Sequence, residues 1–214
     1  MRRSFVGLCV LVGLGWGTDA FAAKKFQGMV EYKFTVTGEN AAIAALIVPS
    51  SIRMHVRGND TRIEMVGGML AAMAPVVVRH AKTHKMYTIS AADAKVTVAD
   101  DPEDAAVAPP TAERLQDVTT IAGYPCEDYA VRQADGTVAR MWTTDALALP
   151  PLAMAGGAGA MLGQAGVPGM VMRVMIEQQG MNVTLEAVDV DLTKPAKSLF
   201  VIPKDYAMVP AEAP

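Results

Sequence analysis

His80 and His84 stand four residues apart. On a helix that spacing puts two imidazoles on one side, as zinc sites require. The intervening Ala81-Lys82-Thr83 reads instead as a turn, so the rings flank a hairpin tip with no third ligand nearby in sequence. Exposed polar positions outweigh a metal site, and no metal is expected. Methionine is the denser signal, with Met69 and Met73, Met154 and Met161, and Met170, Met172 and Met175 in two segments. Thioethers are soft ligands that suit Cu(I), but they also fill irregular apolar space and adapt to varied ligands. These methionines are interleaved with Ala, Leu and Val rather than His. Packing therefore ranks first, lining for an apolar ligand second and copper third.

Catalytic patterns are scarce. The chain holds no Gly-x-Ser-x-Gly elbow, phosphate loop or dinucleotide fingerprint. Its carboxylates are scattered over turns and polar faces, where solvated side chains are the default. The reading is of a protein that is not an enzyme and carries no cofactor. Cys126 is the one cysteine beyond the first 22 residues, so a C-x-x-C redox or zinc site and an internal disulfide are excluded there. A small buried apolar side chain is its expected role.

The elements that must position these residues are strands. From Phe26 to Val36, Phe26, Gly28, Val30, Tyr32, Phe34 and Val36 alternate with Gln27, Met29, Glu31, Lys33 and Thr35, the period of a half-buried antiparallel strand. Ala41 to Val48 permits a short helix or a strand before Pro49. Ile52 to Val66 is a hairpin turning at Gly58-Asn59-Asp60, and Met69 to Met73 is a loop or one helical turn. A third hairpin joins Val76–Arg79 to Lys85–Ser90, with a short strand near Val96 to Ala99. The central unit runs from Thr119 to Thr144, with a corner at Gly123-Tyr124-Pro125 and an Asp135-Gly136 hairpin turn. A last hairpin joins Val171–Gln179 to Val183–Leu192, and the tail from Ser198 to Tyr206 returns to the sheet.

Two segments break the pattern. Residues 100–112 (DDPEDAAVAPPTA) are acidic and proline-rich and read as an exposed connection. Residues 147–170 (LALPPLAMAGGAGAMLGQAGVPGM) carry no charge and read as a lid or loop over an apolar hollow. The first 22 residues read as an export signal: Arg2 and Arg3, an apolar run from Phe5 to Trp16, and Ala20-Phe21-Ala22 before cleavage at Ala23. The run is shorter than the about 20 residues of a membrane span. A soluble periplasmic protein with one domain over residues 23–214 is expected. Removing Arg2, Arg3 and Asp19 from 19 basic and 22 acidic residues leaves 17 and 21, a net charge of −4. With no basic block, nucleic acid is an unsuitable partner.

Phe26-x-Gly28-x-Val30-x-Tyr32, Lys85-Met86-Tyr87-Thr88, Ile121-Ala122-Gly123-Tyr124-Pro125-Cys126-Glu127-x-Tyr129, Trp142-x-Thr144 and Ser198-Leu199-Phe200-x-Ile202-Pro203-x-x-Tyr206 follow one another in the order of the DUF4412 proteins, an exported bacterial family of unknown function that this sequence resembles. Its second half is also similar to the lipoprotein carriers LolA and LolB. That resemblance implies a single curved antiparallel sheet, an open half-barrel with one or two short helical lid segments. The expected function is to hold an acyl chain or other apolar ligand in the concave face, as a lipid or lipoprotein carrier does. Phe34, Met65, Tyr129, Trp142, Leu152 and Met161 are the expected lining. The alternative is an envelope protein-interaction module whose hollow its own side chains fill, and copper binding is third.

Overall fold

A computed structural model describes residues 24–100, 111–132, 138–149, 167–178 and 180–211. The expected leader, Leu152, Met161, the Asp135-Gly136 turn, residues 101–110 and most of the 147–170 segment lie outside these residues. In chain order the elements are β1 (Lys24–Lys25), β2 (Gly28–Gly38), α1 (Ala41–Ile47), β3 (Ser51–Arg57), β4 (Asp60–Val66), α2 (Gly68–Met73), β5 (Val76–His80), β6 (Lys85–Ser90), β7 (Lys95–Asp100), β8 (Thr111–Ile121), β9 (Tyr124–Arg132), β10 (Val138–Thr144), β11 (Leu147–Ala148), β12 (Met170–Gln178), β13 (Met181–Asp191) and β14 (Ala207–Pro210).

Twelve strands form one open sheet in the order β14-β7-β6-β5-β4-β3-β2-β13-β12-β10-β9-β8. Neighbours are antiparallel throughout, except that β14 lies parallel to β7. Sequential hairpins build each half, and the long β13 joins them by pairing with β2 from Met181↔Gly38 to Asp191↔Met29. The sheet is rolled at its β8 end. In a flat sheet four steps would hold β8 about 19 Å from β13, yet their Cα atoms come within 8 Å. Three register shifts accompany the roll: at Trp142/Thr143, at Ala187/Asp189 and between Arg114 and Val118. Bulges of this kind increase local twist and bend a strand.

The alternation in β2 carries through to burial. Phe26, Val30 and Tyr32 are at most 1% exposed and join Met54, Val56, Leu185 and Ala187 in the main core. The corner expected at Gly123-Tyr124-Pro125 falls one residue earlier. Ala122 and Gly123 both have positive φ (47° and 84°) and form a two-residue turn, while Tyr124 and Pro125 already belong to β9. Positive φ at both loop positions matches the strand twist. Pro125 sits opposite Thr120, one step from the closing Ile121↔Tyr124 pair. Cross-strand bonds alternate along an antiparallel pair, so this position needs no amide donor to β8.

Ala41–Ile47 is helical, which settles the open choice between helix and strand, and Gly68–Met73 forms a second short helix. The two pack together, and the approach is close: a side chain on Gly68 (φ +70°) would meet Val48 O at 2.1 Å. Neither helix has a side-chain cap, and α1 buries no residue. Among the described residues no helix is long and apolar enough to cross a membrane.

After β13 the chain crosses the sheet as a strap. Arg57, Arg62 and His80, from three adjacent strands, bond the carbonyls of Pro195, Leu199 and Phe200 at 2.6, 2.9 and 2.7 Å. Ile202 and Tyr206 then cover Val78, Ile89 and Val96, and Ala207–Pro210 follow as β14, a strand that the alternation pattern does not indicate.

Candidate functional site

Strand register brings some of the expected lining residues together. Phe34 pairs with Leu185, Leu185 with Val174, Val174 with Met141 and Met141 with Tyr129. One row therefore crosses β2, β13, β12, β10 and β9 on a single face, with no charged member. Met65 pairs with Ile52, which pairs with Tyr32, two residues from Phe34 and on the same face. Trp142 follows Met141 on β10 and pairs with Asp128 and Arg173, so it leaves the strand on the opposite side. It packs in the same core cluster as Tyr32 and Leu185, against which Phe34 lies, whereas Met141, Val174 and Tyr129 form a second cluster. Period two in a strand puts Met141 and Trp142 on opposite sides once the register is set.

At the middle of the row's face Tyr32 is 1% exposed, and its hydroxyl donates to Val171 O at 2.9 Å, two strands away. Burial pushes the Tyr32 phenol well above its ordinary range because the phenolate would lose its hydration. Tyr129, at the row's end, donates to Glu127 Oε2 at 2.8 Å. Burial first, and then the Glu127 carboxylate, raise its pKa. Two clefts among the described residues hold about 240 and 200 Å³, below the roughly 300–1,000 Å³ of drug-sized ligand pockets.

Behind the row, Trp142 is 5% exposed with the guanidinium carbons of Arg140 and Arg173 at 4.9 and 5.0 Å from its ring centre. Arg140 donates through Nε to Asp128 Oδ2 at 2.8 Å, and Arg173 through Nε to Glu186 Oε2 at 2.5 Å. Asp128 is fully buried, and its Oδ1 accepts no hydrogen bond from the described residues. The Asp128 carboxylate holds the Arg140 proton more firmly than usual. This arrangement fixes the Trp142 ring by charge and stacking. Its polar members were not singled out in the sequence. Their one signal was the alternation of Asp128 with Tyr129 and of Arg140 with Met141.

The remaining candidates have structural posts. His80 Nε2 is engaged by Phe200 O, and its ring lies 5.2 Å from that of Tyr87. Among the described residues no three of His, Cys, Asp and Glu gather as a metal site. Met170 and Met172 are fully buried in the core while Met175 is 37% exposed, so the three do not share one environment. Cys126 is free and buried, with its thiol pushed up by burial.

The chain matches the DUF4412 family, a domain of unknown function, over residues 26–206. It belongs to that family. The DUF4412 chain superposes on an uncharacterized conserved protein from Thermus thermophilus with a TM-score of 0.50 and 10% identity, over 85% of this chain and 90% of that one. The likeness is one of fold. PNGF-II aligns with a TM-score of 0.49 and 15% identity over 87% of this chain, which spans only 31% of PNGF-II. The Mycobacterium tuberculosis lipoprotein LppX gives 0.40 and 11% identity, over 80% of this chain and 89% of LppX. No curated protein matches the DUF4412 chain in sequence.

Proposed function

We propose that this DUF4412 chain is an exported binding protein rather than an enzyme, and that it holds an acyl chain or other apolar ligand. The ligand lies against the face carrying Phe34, Leu185, Val174, Met141 and Tyr129. One observation carries the reading: five neighbouring strands each present an apolar side chain in register, with no charge among them, where the sheet rolls. The row is hydrocarbon from Phe34 to Met141, buried at 8% exposure or less beyond Phe34, and a carboxylate meets it only at the Tyr129 hydroxyl. The uncharged sequence of residues 147–170, with Leu152 and Met161, is in keeping with the same reading. The basic head, apolar run and Ala20-Phe21-Ala22 site support action in the periplasm.

Native mass spectrometry of the protein purified from its host, with titration of a fluorescent fatty acid, tests this directly. A co-purifying lipid and saturable uptake are expected, with Phe34→Ala weakening uptake about tenfold or more. No lipid and no uptake would leave the second reading, an envelope interaction module filled by its own side chains. Tyr32 favours that reading, because its buried, hydrogen-bonded ring already occupies the middle of the face.

A further inference from the structure

The α1–α2 pair is built against the usual logic of a surface. Helices of seven and six residues are too short to be stable alone, and these lack side-chain caps. Yet Ile43 (62%), Leu46 (72%), Met69 (53%) and Met73 (70%) are exposed, with Val66 and Leu70 beside them. Residues 41–49 and 66–78 contain no charged, hydroxyl or amide side chain. What sets this surface apart is its composition, four exposed apolar side chains on two adjoining helices with no polar side chain in either segment.

Size and charge decide the occupant. Each helix is about 10 Å long and about 10 Å wide, so the pair offers about 200 Å². A stable dimer needs about 800 Å² per partner, so a second copy is poorly served. A protein interface also carries about one hydrogen bond per 100–200 Å², and these two segments have no side chain to make one. Insertion into hydrocarbon asks for no hydrogen bonds and scales with the apolar area buried, at about 25 cal/mol per Å². With no cation on either helix, anionic headgroups gain nothing over zwitterionic ones.

We infer that the α1–α2 pair is a membrane-docking tip that inserts Ile43, Leu46, Met69 and Met73 into the upper acyl region of a zwitterionic leaflet. The insertion is shallow, about 5–10 Å as for interfacial helices. The sheet stays in water, and Gly68 holds the two helices at close approach. Docking requires no cavity, so it stands or falls separately from the acyl-chain reading.

Flotation of the full chain with phosphatidylcholine vesicles, at low and high salt, tests the inference. Wild type is expected to float equally at both salts. Leu46→Asp with Met73→Asp should reduce the floated fraction about tenfold or more. Val201→Asp, at an exposed site outside the patch, should leave flotation unchanged. Thermal melts of all variants should coincide, since every substituted side chain is exposed. Absence of flotation by wild type would overturn the inference. So would flotation indifferent to the double substitution, or flotation confined to anionic vesicles. Fatty-acid uptake measured in the same samples separates failure of docking from failure of ligand binding.

Discussion

Removing the Tyr32 hydroxyl should produce a stability difference that changes sign with pH. At neutral pH Tyr32→Phe deletes the 2.9 Å bond to Val171 O in a fully buried setting, at a cost of about 1 kcal/mol. The ionisation term runs the other way. The phenol titrates near 10.0 when unfolded and well above that when folded, with burial the cause. The folded state therefore keeps a proton that the unfolded chain releases. Wild-type stability from this group is intact below pH 10 and declines as pH rises from there toward the folded value. One unit above the unfolded pKa the loss is about 1.4 kcal/mol, slightly more than the hydroxyl contributes. The two proteins should thus be nearly equal in stability near pH 11, with the variant ahead above it. Urea unfolding of both from pH 7 to 11.5 reads this directly, because other titrating groups cancel in the difference. A gap that stays constant across that range would refute the burial of Tyr32, and with it the placement of the core beneath the apolar row.

Two further predictions concern the stack and the helices. Arg140→Gln should cost about 3 kcal/mol in urea unfolding, because it strands the fully buried Asp128 carboxylate; Arg173→Gln, whose partner Glu186 is 38% exposed, should cost under about 1 kcal/mol. Gly68→Ala should lower stability by about 2 kcal/mol or more, since it combines φ +70° with a 2.1 Å approach to Val48 O. Gly58→Ala, with φ +67° and open space around it, should cost only about 1 kcal/mol in the same assay.

Much of the architecture was legible locally. The alternation in Phe26–Val36 and the Gly58-Asn59-Asp60 and Ala81-Lys82-Thr83 turns place β2, β3–β4 and β5–β6 because side-chain period and turn chemistry act over a few residues. The same applies to the family motifs along residues 26–206. Other features were not local. Ala41–Ile47 is helical with α2 packed against it and Gly68 close to Val48 O, a contact between residues twenty positions apart that no local pattern contains. The strap and β14 depend on Arg57, Arg62 and His80 meeting carbonyls more than a hundred residues later.

The candidate site divides in the same way. Phe34, Tyr129 and Trp142 could each be named as large side chains on half-buried strands, since hydrophobicity and alternation belong to each strand by itself. Which of them share a face is a property of pairing. The row from Phe34 to Tyr129, and the setting of Trp142 beside Asp128 and Arg173, follow from register across five strands. Each register is chosen by the hydrogen bonds and packing of both partners together, and shifting one strand by a residue would reverse the assignment. Residue types alone thus established a β-rich chain with an apolar surplus. Only the folded sheet decided which of those residues meet.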